Sequence, residues 1–196
     1  MKTNRQPRKG MRFIIIAFLV FAAIVGALVA KKYHISTRPQ VPPPAEQAGT
    51  ILVTLFFADE SGDGLVREGR EIEAGSDPAE SIEAVVGELI SGPVGDHGPV
   101  LPDSTQVRKV EVRGDQVTVD FGREFYDDLP AGSSAEMTAI YAVIDTIAVN
   151  FPQVKKVLFL KEGQQVETAK GHLDLRQSLS PDFSLEKKQD GAGPVP

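Results

Sequence analysis

The chain of 196 residues contains no cysteine. This absence excludes disulfide bonds, zinc–thiolate sites, thiol nucleophiles and a lipid-modified N-terminal cysteine. Histidine is also scarce, because only His34, His97 and His172 occur. Three separated histidines do not make the ligand set of a metal centre, so we predict no metal site and no cofactor.

The sequence also lacks the motifs of several enzyme classes. No glycine-rich phosphate loop follows a predicted strand, and no Gly-x-Ser-x-Gly pentapeptide occurs. No Ser/His/Asp set can be assembled from the motifs that are present. We therefore predict no catalytic residues and a protein that is not an enzyme.

Basic residues are scarce in the larger, C-terminal part of the chain. Residues 50–196 contain thirteen Lys or Arg and twenty-six Asp or Glu, which leaves a net charge of −13, whereas residues 1–49 contain eight basic residues and one acidic residue. Nucleic acid and anionic lipid headgroups need a basic footprint, which the acidic part lacks. We expect no nucleic-acid partner and favour a partner that is neutral or carries a basic patch.

The only long apolar run lies at residues 13–30. Its 18 residues contain no charged side chain, and a helix of that length just spans a hydrocarbon core of ~30 Å. More basic residues precede the run than follow it, so the positive-inside rule places the N-terminus in the cytoplasm. We predict a single-pass protein of the bacterial inner (cytoplasmic) membrane with an extracytoplasmic domain. Cleavage as a signal peptide after Ala27 is an alternative that stays open.

Composition divides the rest of the chain into segments. Residues 1–12 form a cytoplasmic basic segment, and residues 31–49 contain four prolines, which is typical of an extended stalk. Residues 50–180 have the composition of a folded domain. Residues 181–196 end in a polar, Gly- and Pro-rich stretch and are predicted to be a flexible tail.

Residues 50–92 predict two strands followed by a helix. Residues 50–58 are β-branched, aromatic and apolar, which is typical of a buried, central strand, and residues 65–73 return after a turn. Asp77 and Pro78 are typical of a helix start, and apolar residues then recur at helical spacing until Gly92.

The turn between these strands contains Asp59, Ser61 and Asp63, a pattern with a faint likeness to a calcium loop. The twelfth position of such a loop would be Arg70, a cation where a bidentate glutamate is required. An ordinary hairpin turn is therefore the favoured interpretation.

Residues 107–169 predict a hairpin, a second helix and two more strands. Valines alternate on both sides of a turn at Gly114 and Asp115. Ser133 and Glu136 have the spacing of a capping box, which starts the second helix. Its predicted apolar stripe consists of Met137, Ile140, Tyr141, Ile144, Ala148 and Phe151. Residues 154–160 and 164–169 predict the last strands.

These elements indicate an α+β fold in the order ββαββαββ. A helix with one apolar stripe needs a sheet to cover, so we expect a mixed β-sheet with the two amphipathic helices packed on one face. The N-terminal transmembrane helix precedes this domain.

Five sequence features occur in the order that is found in one family. They are ELISGP at the end of the first helix, LPDST before the hairpin, VTVDF within it, FPQVKKVLF after the second helix, and the late GHLDL. Together they resemble the GerM-type (Germane, or GerMN) domain over about residues 50–180. The resemblance implies a single copy of this domain behind the N-terminal anchor.

The resemblance implies an exported domain of the kind first named in sporulation and germination proteins. Such domains resemble interaction or ligand-binding modules of the cell envelope, and their fold looks like the small ring-building modules of secretion assemblies. Gly122 stands where the family often has Ser, and Asp145 stands where it often has Asn. Many members are lipoproteins, which a chain without cysteine cannot be.

The candidate ligand-binding residues are His172 and Asp174. Residues two apart on a strand face the same side, so these side chains could share a site. A structural role, in which the imidazole or the carboxylate satisfies loop backbone, is the alternative.

We predict a membrane-anchored envelope protein whose extracytoplasmic domain is a non-enzymatic binding or assembly module. Its expected partner is an envelope protein or a peptidoglycan-related ligand, and side-by-side assembly into a homo-oligomer is a further expectation. The alternative is a peptidoglycan-active enzyme or an activator subunit of a cell-wall hydrolase.

Overall fold

The computed structural model describes residues 49–187 of the chain. The predicted cytoplasmic segment, the apolar run at 13–30 and nearly all of the stalk therefore lie outside the described residues. Within residues 49–187, no helix is both long and apolar enough to cross a membrane.

The first sheet is an antiparallel hairpin of β1 (Thr50–Ala58) and β2 (Leu65–Glu73). Both strands have the predicted bounds. The turn between them is organised by Asp59, whose Oδ1 accepts the N–H groups of Gly62 at 2.9 Å and Gly64 at 3.2 Å. Gly62 has a φ of 75°, a conformation that glycine adopts without the strain of a Cβ.

Helix α1 (Pro78–Ile90) follows the predicted start and stop signals. The Asp77 carboxylate accepts the N–H groups of Ala79 at 2.8 Å and Glu80 at 3.0 Å, which satisfies two donors of the first turn. Gly92 ends the helix region with a φ of 84°. The apolar stripe that α1 buries consists of Ile82, Val85, Val86 and Leu89.

The second sheet has the strand order β3-β4-β5-β6. Its strands are β3 (Val107–Arg113), β4 (Gln116–Phe121), β5 (Lys156–Lys161) and β6 (Gln164–Gln165). The hairpin β3–β4 is confirmed, with Gly114 at a φ of 63° in its turn. Strands β4 and β5 are parallel, and the other pairs are antiparallel, so this sheet is mixed. Strand β6 is shorter than the predicted 164–169.

A short helix α2 (Arg123–Asp127) follows β4 and was not predicted. Its Phe125 is fully buried and stacks on Phe121 with ring centroids 4.5 Å apart. The hydroxyl of Tyr126 donates to the carbonyl of Leu160 at 3.0 Å. These contacts attach α2 to the second sheet and add an element to the predicted order, which becomes ββαββααββ.

The long helix α3 (Ser133–Asn150) is buried on more than one side. It contacts β1, β5 and α1. The predicted single stripe is therefore wrong: Ile140 and Ile144 are fully buried, but Met137 is 37% exposed. Burial extends instead over Glu136, Thr138, Ala139, Ile140, Ala142, Val143, Ile144, Asp145, Thr146 and Ile147.

The prediction of one sheet is also wrong, because the described residues form two. The edge of β1 that faces away from β2 is occupied by side chains of α3. The carboxamide of Asn150 accepts the N–H of Thr54 at 2.9 Å and donates to the carbonyl of Thr54 at 2.7 Å. Thr146 Oγ1 accepts the N–H of Phe56 at 3.1 Å. These side chains satisfy the groups that another strand would need for pairing.

The described chain ends in a segment that we call the C-terminal strap, residues 179–187. Leu179 exchanges two backbone hydrogen bonds of 2.8 Å with Val157 of the second sheet. Eight residues later, the N–H of Lys187 donates to Leu65 of the first sheet at 2.8 Å. A 3₁₀ turn, Phe183–Leu185, lies between these points and contacts α3. Residues 181–187, the start of the predicted flexible tail, thus pack against the domain.

Candidate functional site

A groove of about 770 Å³ opens between the end of β1, the end of α1 and the start of α3. Two loops, residues 98–106 and 128–132, complete its walls. Most of its lining is apolar or proline. The lining residues are Ala58, Gly62, Ile90, Ser91, Gly92, Pro99, Val100, Leu101, Pro102, Asp103, Ser104, Asp128, Leu129, Pro130, Ala135 and Thr138.

The loop on one side of the groove is pinned to β1. Ala58 and Gly98 exchange two backbone hydrogen bonds of 2.9 Å each. A Cβ at position 98 would stand 3.3 Å from the Cβ of Ala58, so a glycine permits this close approach. Val100 and Leu101 then turn inwards and are buried. The apolar floor of the groove is therefore part of the core.

The charged residues that line the groove are all acidic. Asp103 and Asp128 lie at its rim, and no described lining residue is Lys or Arg. Ser104 Oγ donates to Asp128 Oδ2 at 2.7 Å, which links the two loops. The groove thus combines an apolar floor with a negatively charged rim.

The predicted ligand-binding residues, His172 and Asp174, lie elsewhere. They line a depression of about 280 Å³ together with residues of the same loop, and neither lies in a strand of the described structure. Arg176 binds the Asp174 carboxylate through Nε at 2.9 Å and Nη2 at 2.8 Å. Hydrogen bonds from Arg176 lower the pKa of Asp174 to about 2. Binding of a ligand by His172 or Asp174 stays a prediction.

The loop that carries His172 is organised by a buried carboxylate, Glu136. Oε1 of Glu136 accepts hydrogen bonds from Thr168 Oγ1 at 2.6 Å and from the N–H groups of Ala169 and Lys170 at 2.9 Å each. Oε2 accepts the N–H of His172 at 2.8 Å. Burial acts to raise the pKa of Glu136, but these hydrogen bonds outweigh it and hold the pKa below its ordinary value.

The predicted capping box at Ser133 and Glu136 is therefore wrong. Helix α3 begins at Ser133 without a side-chain hydrogen bond at its cap, and Gly132 takes the cap position. The glutamate at the capping position instead reaches a loop 32 to 36 residues further along the chain. Glu136 thus accepts hydrogen bonds from residues 168–172 instead of from the N-terminus of its own helix.

Asp145, also on α3, is a second buried carboxylate with far fewer partners. Its Oδ1 accepts the N–H of Asp182 in the strap at 3.0 Å, whereas its buried Oδ2 has no hydrogen-bond partner. Burial raises the pKa of Asp145 to about 6, and the charges of Asp182 and Glu186 add to this, opposed by that hydrogen bond and by Arg67. The strap thus donates a hydrogen bond to one oxygen of the Asp145 carboxylate, while the other buried oxygen accepts none.

The turn with the faint likeness to a calcium loop has its carboxylates bound to protein groups. Ser61 Oγ lies 2.7 Å from both Asp59 Oδ2 and Asp63 Oδ1, and Lys187 Nζ lies 3.0 Å from Asp63 Oδ1. In residues 49–187, no three His, Cys, Asp or Glu side chains are grouped as metal ligands.

Solved structures with the same architecture include two from Bacillus subtilis. The tandem GerMN domains of the sporulation protein GerM share 19% identity with this chain at a TM-score of 0.58, over 76% of this chain and 51% of that chain. The first GerMN domain of the same protein shares 22% identity at a TM-score of 0.52, over 67% of this chain and 98% of that chain. At these identities the likeness shows the fold alone. In a comparison with curated proteins, no match reached significance.

The fold is thus that of a GerMN-type module, an α+β domain with two sheets and a long buried helix. The sequence carries the assignment further, because residues 54–167 match the Germane family of sporulation and spore germination. This chain belongs to the Germane family, as the five sequence features indicated.

Sequence reasoning did not identify the groove or the two carboxylates of α3. The groove loop was recognisable as Gly- and Pro-rich, but no local pattern says which residues of a loop face a cavity. Glu136 and Asp145 were hidden because a polar residue in a helix is ordinarily solvated. The signals that the sequence did contain were the capping spacing of Glu136 and the aspartate at position 145, where the family often has Asn.

Proposed function

We propose that this domain is a non-enzymatic binding module of the bacterial cell envelope and that the groove is its docking site. The observation that carries the proposal is the groove itself, which has a volume of about 770 Å³ and an apolar floor at the surface of the domain. Binding sites are typically concave and apolar, with a few polar groups that orient the ligand. Membership of the Germane family is consistent with such a role in a sporulation or germination context.

The rim of the groove favours a protein partner over nucleic acid. Asp103 and Asp128 repel phosphate groups, and residues 50–196 carry a net charge of −13. We also propose that residues 13–30 anchor the chain in the membrane and that the proline-rich residues 31–49 form a stalk. We propose this anchored, extracytoplasmic arrangement on the basis of the sequence.

Site-specific photocrosslinking in the producing bacterium tests the docking site. A photoreactive amino acid replaces Ser91, which follows α1 and lies in the groove, or Glu83, which is exposed on α1 outside the groove. We expect discrete adducts from position 91 and none from position 83. Mass spectrometry then identifies the partner.

A second substitution in the same experiment shows whether the groove itself is needed. Ala135→Gln places a larger, uncharged side chain in the groove, and Ser134→Gln makes the same change at the neighbouring exposed position. The adduct from position 91 should fall at least about fivefold with Ala135→Gln and persist with Ser134→Gln. The proposal would be contradicted if position 91 gave no adducts, or if their yield were unchanged by Ala135→Gln.

Membrane fractionation tests the anchor independently. The full chain should sediment with membranes and resist high salt, because an apolar helix is held by burial and not by charge. A chain that begins after residue 30 should remain in the soluble fraction. Recovery of the full chain in the soluble fraction would contradict the anchored arrangement without affecting the groove.

A further inference from the structure

If the groove is the docking site, as proposed above, the residues that line it restrict the class of ligand that it can bind. The lining combines three features that restrict the ligand: an aliphatic floor, a rim with two carboxylates, and walls that contain three prolines. Each feature selects for or against a class of ligand.

The floor of the groove accepts aliphatic side chains. Ile90, Val100, Leu101 and Leu129 form it, and Ala58 and Ala135 leave room above. No described lining residue is aromatic. A buried glycan would need a hydrogen-bond partner for each hydroxyl group, and an aliphatic floor supplies none.

The walls of the groove do not offer a strand edge to a ligand. Pro99, Pro102 and Pro130 have no backbone N–H, so they cannot donate to the main chain of a docked peptide. The N–H of Gly98 is already bonded to Ala58. We therefore expect side chains of the ligand, more than a backbone ladder, to supply the affinity.

The rim of the groove selects the charge of the ligand. Asp103 and Asp128 are both exposed, and no lysine or arginine lines the described groove to offset them. One oxygen of Asp128 is engaged by Ser104, which fixes the direction of that carboxylate. A cation beside an apolar side chain meets a complementary surface here, whereas an anion is repelled.

We infer that the groove binds a peptide segment in which aliphatic residues or prolines are flanked by lysine or arginine. The aliphatic residues contact the floor, and the basic side chains contact Asp103 and Asp128. A glycan is therefore the wrong class of ligand for the proposed docking site.

Selection from a displayed library of random ten-residue peptides tests the inference. The bait is the full chain in mild detergent, and binders that also bind the Ala135→Gln variant are removed. Groove-dependent peptides should contain at least about three times as many Lys and Arg as Asp and Glu, together with enrichment of Val, Leu, Ile and Pro. Chitin tetrasaccharide and purified cell wall are tested in parallel as glycan probes.

A matched pair of double variants tests the charge contacts directly. Asp103→Asn with Asp128→Asn keeps the shape of the rim and the acceptor for Ser104, and should weaken the selected peptides by about tenfold. Glu71→Asn with Glu83→Asn removes the same charge from exposed positions outside the groove and should leave affinity within about twofold. Thermal unfolding confirms that each variant is folded.

The outcomes separate this inference from the proposed function. The inference would be overturned if the groove-dependent peptides were acidic, or if the Asp103→Asn with Asp128→Asn variant bound them as tightly as the native chain does. Either result would leave the proposed docking site supported. Groove-dependent binding of the glycan probes, without peptides, would also overturn the inference and point to a wall ligand. Absence of any ligand that distinguishes the native chain from Ala135→Gln would overturn both proposals.

Discussion

Helix α3 carries two buried carboxylates whose surroundings are opposite in kind. Glu136, in the first turn, accepts four hydrogen bonds from residues 168–172 of a distant loop. Asp145, in the second half of the helix, accepts one hydrogen bond from the strap and leaves a buried oxygen without a partner. Both residues have no solvent exposure. The two residues differ in the number of hydrogen-bond donors that face the carboxylate.

The comparison shows how a buried charge can either stabilise a fold or weaken it. Removing a carboxylate from water is unfavourable, and hydrogen bonds to its ionised form offset that penalty. Four donors suffice at Glu136, so its pKa lies below the ordinary value. One donor does not suffice at Asp145, where the pKa rises to about 6.

The two residues therefore give stability in opposite pH ranges. The pKa of Glu136 is lowered in the folded state, so its contribution is present above the unfolded pKa and is lost as the pH falls through the folded pKa. The pKa of Asp145 is raised, so its contribution is complete below the unfolded value of 3.8 and is lost as the pH rises through about 6. The titratable groups that interact electrostatically with Asp145 are Tyr141, Asp182, Glu186 and Arg67. Of these, only Arg67 carries a positive charge.

The largest effect is expected from Glu136→Gln. The amide oxygen can replace Oε1, but the amide nitrogen then faces the N–H of His172 and leaves two donors opposed. We expect a loss of about 3 kcal/mol in the free energy of unfolding at pH 7, measured by urea denaturation. Glu83→Gln, at an exposed helix position, is the control and should change stability by less than about 0.5 kcal/mol. Equal effects of the two substitutions would show that the loop does not depend on Glu136.

Asp145→Asn should have the opposite sign. The amide keeps the acceptor for Asp182 and removes the charge, so at pH 8 the variant should be more stable by about 2 kcal/mol. The gain should shrink as the pH falls from about 6 to about 4, because native Asp145 becomes protonated in the fold. Urea denaturation of both proteins at pH 4, 6 and 8 measures the difference. A difference that is constant with pH would refute the account given for Asp145.

The strap itself should contribute less than either carboxylate. Phe183 packs on Phe56 with ring centroids 6.0 Å apart but remains 41% exposed. Phe183→Ala should lower the free energy of unfolding by about 1 kcal/mol and increase hydrogen exchange at the N–H groups of Asp182 and Lys187, which donate from the strap to the rest of the domain. Val94→Ala, at a side chain that is 84% exposed, is the control. Unchanged exchange in the Phe183 variant would show that the strap does not depend on the contact between Phe183 and Phe56.

The smallest effect is expected from His172→Ala. The backbone N–H of His172 serves Glu136, while its side chain is exposed and belongs to the depression. Stability should therefore change by less than about 0.5 kcal/mol in urea denaturation. A loss similar to that of Glu136→Gln would show that the imidazole supports the loop. With stability unchanged, any loss of ligand binding by this variant would report on the predicted site at His172 and Asp174.

Local patterns predicted most of the individual elements. The first hairpin, helix α1 and the hairpin β3–β4 follow from alternation, capping residues and turn residues that lie within a few positions of each other. The sequence did not predict the short helix α2, and it predicted a strand β6 that is longer than the observed one. Contacts with distant parts of the chain bear on both. Tyr126 attaches α2 to Leu160, and residues 168–172, most of which lie beyond the predicted strand, bind Glu136.

The family, the α+β class and the order of the main strands and helices follow from patterns in the amino-acid sequence. Three further features depend on tertiary contacts. Side chains of α3 occupy one edge of β1, Glu136 binds a distant loop, and two loops and two helix ends enclose a groove. Periodicity and turn chemistry are local properties and can be read along the chain. A buried polar side chain takes whichever donors the fold brings to it, and those donors lie 32 or more residues away in the cases of Glu136 and Asp145.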